Sequence, residues 1–193
     1  MQSVHTYTSS TGLSDPQYSQ TKVGRDFAAA GALAGADMRR PDQVLAKLND
    51  AFQGEHHGNR FFTIWYGVYQ RASRTMTWGG GGHPPAIILL RGEPTPLRLP
   101  STGPVMGVLP SVDFVAQSCH IPPGACLLIF SDGVFEIFRD RRPVWNLDAC
   151  IDYLAGLSER EGGLLDKLLD HAHLLCGSPR LDDDFSVIEA RFD

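Results

Sequence analysis

The stretch from Ala125 to Glu136, ACLLIFSDGVFE, constrains this chain more than any other. Its apolar run, Cys126 to Phe130, has the length and continuity of a strand buried on both faces, and it stops abruptly at Ser131-Asp132-Gly133. A carboxylate therefore stands where the core ends. Near the C-terminus the order is reversed: Asp182-Asp183-Asp184 runs straight into Phe185-Ser186-Val187-Ile188, a second strand with acid at its mouth. Two such mouths facing each other would hold a cation. Alone, Asp-Gly after a strand is a common hairpin turn, and three aspartates on a loop are usually just solvated. A third stretch, Thr77-Trp78-Gly79-Gly80-Gly81-Gly82-His83-Pro84-Pro85, closes another apolar strand upstream and makes the combination specific.

With 193 residues, 42% of them hydrophobic and 20% charged, the chain can bury one substantial core, and one globular domain is expected. The net charge of -5 and the scatter of the arginines give no nucleic-acid footprint. No apolar run approaches the ~20 residues that cross a bilayer, and the polar start MQSVHTYTSSTG lacks the apolar core of a secretory signal, so a cytoplasmic protein with no membrane partner is expected. Cys119, Cys126, Cys150 and Cys176 are spaced too irregularly for a zinc site and read as reduced core residues.

Taken in order, residues 1–40 read as a poorly ordered or partial lead-in: Gln2 to Val23 is rich in Ser, Thr, Gln and Tyr, and Phe27 to Ala36 suggests a short helix interrupted by Gly31 and Gly35. Pro41-Asp42-Gln43 opens a helix with Val44, Leu45, Leu48 and Phe52 on one face, Asn49 and Asp50 pointing away. His56 and His57 are adjacent, so their side chains diverge, and they read as part of a solvated loop. Phe61 to Tyr69 reads as a central strand with Gly67 at a bulge or close approach, and Thr75 to Trp78 and Ala86 to Leu90 as successive antiparallel neighbours. Asp113 to Ile121 alternates as a half-buried strand that Pro122-Pro123-Gly124 returns into the Ala125 strand. Helices follow from an N-cap at Asn146 and from Leu164 to Cys176, the latter stopped by Gly177. His171 and His173 fall near its negative end, which favours imidazolium, and are assigned a structural role.

Aspartates at strand ends, completed by water, suit hard divalent ions such as Mg²⁺ or Mn²⁺. Such ions neutralise phosphoryl oxygens and activate water, the two needs of phosphate-ester hydrolysis. Glycines beside the ligands let backbone or phosphate approach closely.

Phe61-Phe62-Thr63-Ile64-Trp65-Tyr66-Gly67-Val68, Gly82-His83-Pro84-Pro85, Phe130-Ser131-Asp132-Gly133-Val134-Phe135-Glu136 and Asp183-Asp184-Phe185-Ser186, in this order and spacing, resemble the SpoIIE and RsbU type of PPM (PP2C-like) serine/threonine phosphatase domain over roughly residues 41–193. The resemblance implies an α+β fold, a PP2C-like β-sandwich flanked by helices in α-β-β-α layers, with a Mn²⁺ or Mg²⁺ site between the sheets. It assigns Asp132 and Asp183 as metal ligands acting catalytically through activated water, Gly133 and Asp184 as further candidates, and His83 as part of a turn. The upstream Gly-Asp and Asp-Val-Ser-Gly-His-Gly motifs of the family have no counterpart, since Asp15, Asp26 and Asp37 lack the flanking glycines and strand, so the N-terminal portion is expected to be missing or degenerate. The implied substrate is a phosphoserine on an anti-sigma-factor antagonist or similar protein in a stress-response relay, with a receiver (response-regulator) or sensor domain N-terminal to it in the parent chain. A catalytically inactive, phosphatase-like adaptor is the alternative, and a single structural ion a third.

Overall fold

The structure, a computed structural model, describes residues 4–9, 33–53, 61–157 and 163–193. In chain order its elements are β1 (Val4–Ser9), α1 (Pro41–Ala51), β2 (Ile64–Gln70), β3 (Thr75–Gly81), β4 (Ala86–Leu89), β5 (Leu97–Leu99), β6 (Gln117–His120), β7 (Ala125–Phe130), β8 (Phe138–Arg139), β9 (Arg142–Pro143), α2 (Leu147–Leu157), α3 (Leu164–Cys176) and β10 (Phe185–Phe192). They divide into two compact units, Met1–Leu13, Pro84–Leu99 and Pro122–Asp193 in one, Ser14–His83 and Pro100–Ile121 in the other.

The first unit holds an antiparallel sheet in the order β1-β10-β7-β4-β5. β7 lies at its centre, and its run of apolar side chains is buried almost throughout, as two-sided burial of a continuous apolar strand requires. One hydrophobic cluster joins β4, β7 and β10 to α2 and α3 through Ile87, Leu128, Val187, Leu154 and Leu168. Both helices follow from their sequence. Asn146 accepts a hydrogen bond from Ala149 N at 3.0 Å, the N-cap expected there. α3 ends where Gly177 enters the left-handed region at φ 71° and its N–H reaches His173 O.

The second unit holds a three-stranded antiparallel sheet, β2-β3-β6, with α1 against it. Among the described residues β2 is an edge strand rather than the central strand expected, and β3 takes the centre. No bulge interrupts β2; Gly67 pairs in register with Trp78 and leaves room for the Trp65 ring. The glycines closing β3 permit backbone approach: Gly103 N donates to Gly80 O at 2.9 Å, and a Cβ at Gly81 would strike Pro104 O.

The sequence reading of successive antiparallel strands holds for β2-β3 and fails twice afterwards. β4 does not pair with β3, nor β6 with β7; in each case the next strand joins the other sheet. The chain passes between units at Pro84, Pro100 and Pro122. A proline has no N–H to extend a ladder, and Gly82 (φ 65°) and Gly124 (φ 78°) turn the backbone out of line beside two of these crossings.

Within the lead-in, Val4–Ser9 adds an edge strand to β10, and residues 33–35 form a turn where the end of a short helix was expected. Asp15, Asp26, His56 and His57 lie outside the described residues. Asn49 corrects the amphipathic reading of α1. It is fully buried, donating from Nδ2 to Leu109 O at 2.9 Å and accepting from Gly107 N at 3.0 Å, so it clamps the loop beneath the helix.

Candidate functional site

The two acid mouths are neighbours because β7 and β10 pair antiparallel, Phe130 opposite Val187, so that the end of one strand adjoins the start of the other. Beyond the ladder the backbone pairing continues, Ser131 N donating to Ser186 O at 3.0 Å. The Ser131 hydroxyl then ties the mouths together, donating to Asp184 O at 2.7 Å and accepting from Ser186 N at 3.1 Å. This role of Ser131 was not read from the sequence. The signal available was its place between the buried strand and Asp132.

After Ser131 the chain makes one 3₁₀ turn, Asp132–Val134. Val134 and Phe135 are buried, and the Phe135 ring meets Phe130 edge-on at 6.0 Å. Anchored from below in this way, the turn leaves the Asp132 side chain exposed. Gly133 packs directly on the opposite mouth, where a Cβ would lie 2.6 Å from Asp184 O and 3.2 Å from Asp183 Cβ. Two carboxylates are held by backbone N–H groups, Asp132 Oδ1 by Gly133 N at 3.1 Å and Asp183 Oδ1 by Asp184 N at 2.7 Å. A cavity of about 10 Å³, about enough for one water, is lined by Gly133, Glu136, Asp182 and Asp183.

All four assigned positions therefore meet at one end of one sheet. Asp132 and Asp183 each engage one carboxylate oxygen locally, Gly133 supplies an N–H and close packing, and Asp184 supplies its N–H and carbonyl while its side chain is exposed. This donor set is all oxygen, which suits a hard divalent cation in part of its shell, with water for the rest. Among the described residues no group of three or more His, Cys, Asp and Glu side chains is arranged to hold a metal.

The remaining candidates settle into structural places. His83 is half-buried just after the Gly82 turn. His171 stacks on Tyr153 at 4.0 Å and meets Trp145 edge-on at 5.1 Å. Burial lowers its pKa, which corrects the expectation that the helix end favours imidazolium there; the last turn of α3 contains His173 instead. All four cysteines are free. Burial pushes the Cys126 and Cys150 thiols up to about 12, with the adjacent Glu189 adding to the shift at Cys126. Asp37 is exposed and accepts from Arg39 N. No helix among the described residues is long and apolar enough to cross a membrane.

The family model described as Stage II sporulation protein E (SpoIIE) matches residues 23–193, beginning upstream of the Pro41 limit inferred from the motifs. Protein IcfG of Synechocystis sp. is 27% identical over 143 residues, 71% of this chain and 22% of that protein. Phosphoserine phosphatase RsbU of Bacillus subtilis is 29% identical over 96 residues, 50% of this chain and 29% of that protein. The chain thus spans about a quarter of the length of these curated relatives. Among solved structures, the SiaA-PP2C domain of Pseudomonas aeruginosa superposes with a TM-score of 0.72 at 14% identity, covering 90% of this chain and 69% of that one. RsbX, solved in complex with magnesium, gives 0.58 at 12% identity over 98% of this chain and 87% of its own. At these identities the structures establish the fold, α+β and PP2C-like as expected.

Proposed function

The chain belongs to the SpoIIE family of PPM-type, PP2C-like phosphatase domains, and on that premise we propose that it removes phosphate from a phosphoserine of a regulatory protein in a Mn²⁺- or Mg²⁺-dependent hydrolysis. The supporting observation is the packing of the Asp132-Gly133 turn on the Asp183-Asp184 backbone, which gathers carboxylates at the joined mouths of β7 and β10.

Asp132 and Asp183 would hold the ion, with Asp184 nearby. A bound divalent ion supplies charge for phosphoryl oxygens and lowers the pKa of water. The protein's own contribution is preorganisation. Gly133 N–H and Asp184 N–H fix one oxygen of each carboxylate, the Ser131 hydroxyl locks the two strand ends together, and the buried Val134 and Phe135 stop the turn from swinging. Missing side-chain bulk at Gly133 keeps the mouths in contact.

The name of the RsbU relative points to phosphoserine as the substrate group. An anti-sigma-factor antagonist type of protein in a stress-response relay, an N-terminal receiver or sensor domain in the parent chain, and a cytoplasmic location complete the reading. The test is Mn²⁺-dependent phosphate release from a phosphoserine protein, with Asp132→Ala and Asp183→Ala as controls. Release abolished by both substitutions is expected. Release that survives either one overturns the assignment, and no release together with retained partner binding replaces it with the adaptor.

A further inference from the structure

Beside the acid mouths the chain spends stability on a small basic hairpin. β8 and β9 place Arg139 directly opposite Arg142, a like-charge cross-strand pair that disfavours the hairpin. The two-residue turn between them has positive φ at both positions, Asp140 at 53° and Arg141 at 61°, where glycine or asparagine is the usual choice. Strain and repulsion concentrated in one exposed element point to a purpose other than stability. Arg139, Arg141, Arg142 and the nearby Arg180 are exposed and have no carboxylate partner among the described residues.

The hairpin forms one wall of a groove of about 680 Å³, and the loop after α3, Gly177 to Asp182, forms the other. Arg139 and Arg180 both line it, together with the carboxylates of Asp140 and Asp182. The Arg139 guanidinium lies over Gly177, 3.2 Å from where a Cβ would sit, at the negative end of the α3 dipole that helps position it. Phe138, Cys176, Leu181 and Asp182 also line the small cavity that reaches Gly133 and Asp183, so the groove is continuous with the candidate metal site.

We infer that the Phe138–Pro143 hairpin and the Gly177–Asp182 loop form a docking groove for acidic residues flanking the phosphoserine of the protein substrate. This rests on the phosphatase reading for the identity of its occupant. Four arginines against two rim carboxylates select for negative charge, and the phosphate would then lie toward Asp183.

The test separates docking from hydrolysis. Short unphosphorylated serine peptides flanked by glutamates or by lysines are compared by fluorescence anisotropy on the full chain. The glutamate peptide is expected to bind about tenfold tighter, an advantage that salt erodes. Arg139→Gln, Arg142→Gln and Arg180→Gln combined should abolish the preference without lowering Tm, because the substitutions remove a repulsive pair. Equal binding of the two peptides, a preference that survives in the triple variant, or displacement of the glutamate peptide only by a single-stranded oligonucleotide overturns the proposal. With phosphorylated versions, equal kcat/KM for both peptides overturns docking and leaves the phosphatase reading intact. Selective binding without phosphate release supports docking and overturns that reading instead.

Discussion

A methyl group at position 133 would have to share space with the Asp184 carbonyl, 2.6 Å away, and with Asp183 Cβ. Backbone on both sides leaves nothing flexible to yield. Gly133→Ala is therefore expected to destabilise the fold by about 1–3 kcal/mol in urea titrations, as overpacking does. It should also weaken Mn²⁺ binding by calorimetry about tenfold or more, as loss of support around metal ligands does. A stability loss with unchanged Mn²⁺ affinity would detach Gly133 from the site. At this scale the sequence was informative about Asp132 and Asp183, because an acid ending a buried strand stands out. It was silent on Ser131 and Asn49, whose roles depend on groups 53 to 60 residues away.

Local signals carried most of the helices: Pro41 opens α1, Asn146 caps α2 and Gly177 ends α3. The environment of His171 was not legible, since its neighbours Trp145 and Tyr153 arrive from outside its own helix. That cluster links the approach to α2 and α2 itself with α3, and it has a titration signature. Burial holds the folded pKa of His171 below its ordinary 6.5, so the unfolded chain binds the extra proton first. Stability contributed by the neutral imidazole is intact above about pH 6.5 and is lost as pH falls through that value toward the folded pKa. His171→Phe, which preserves the stack, is expected to lose Tm less steeply between about pH 7 and 5.5 than the wild type. Parallel pH profiles for the two proteins would contradict this.

Across the whole molecule, Asp132 and the run Asp182 to Asp184 concentrate negative charge at one end of the five-stranded sheet. A cation that binds only the folded arrangement stabilises it by mass action. At about a hundredfold excess over Kd the gain is about 2.7 kcal/mol, which for a chain of this size raises Tm by roughly 5–10 °C. Mn²⁺ should produce that shift in the wild type and little in Asp132→Ala. An equal shift in both would place the ion elsewhere.

The sequence by itself determined the elements and the chemistry at their ends, because buried strands, caps and acidic stops are written in neighbouring residues. Only tertiary structure decided which strands became neighbours. Prolines at Pro84, Pro100 and Pro122 pass the chain between two sheets, so β7 finds β10 as its partner rather than β6. Hydrogen-bond ladders are nonlocal, and the adjacency of Asp132 and Asp183, some fifty residues apart in the chain, follows from that pairing alone.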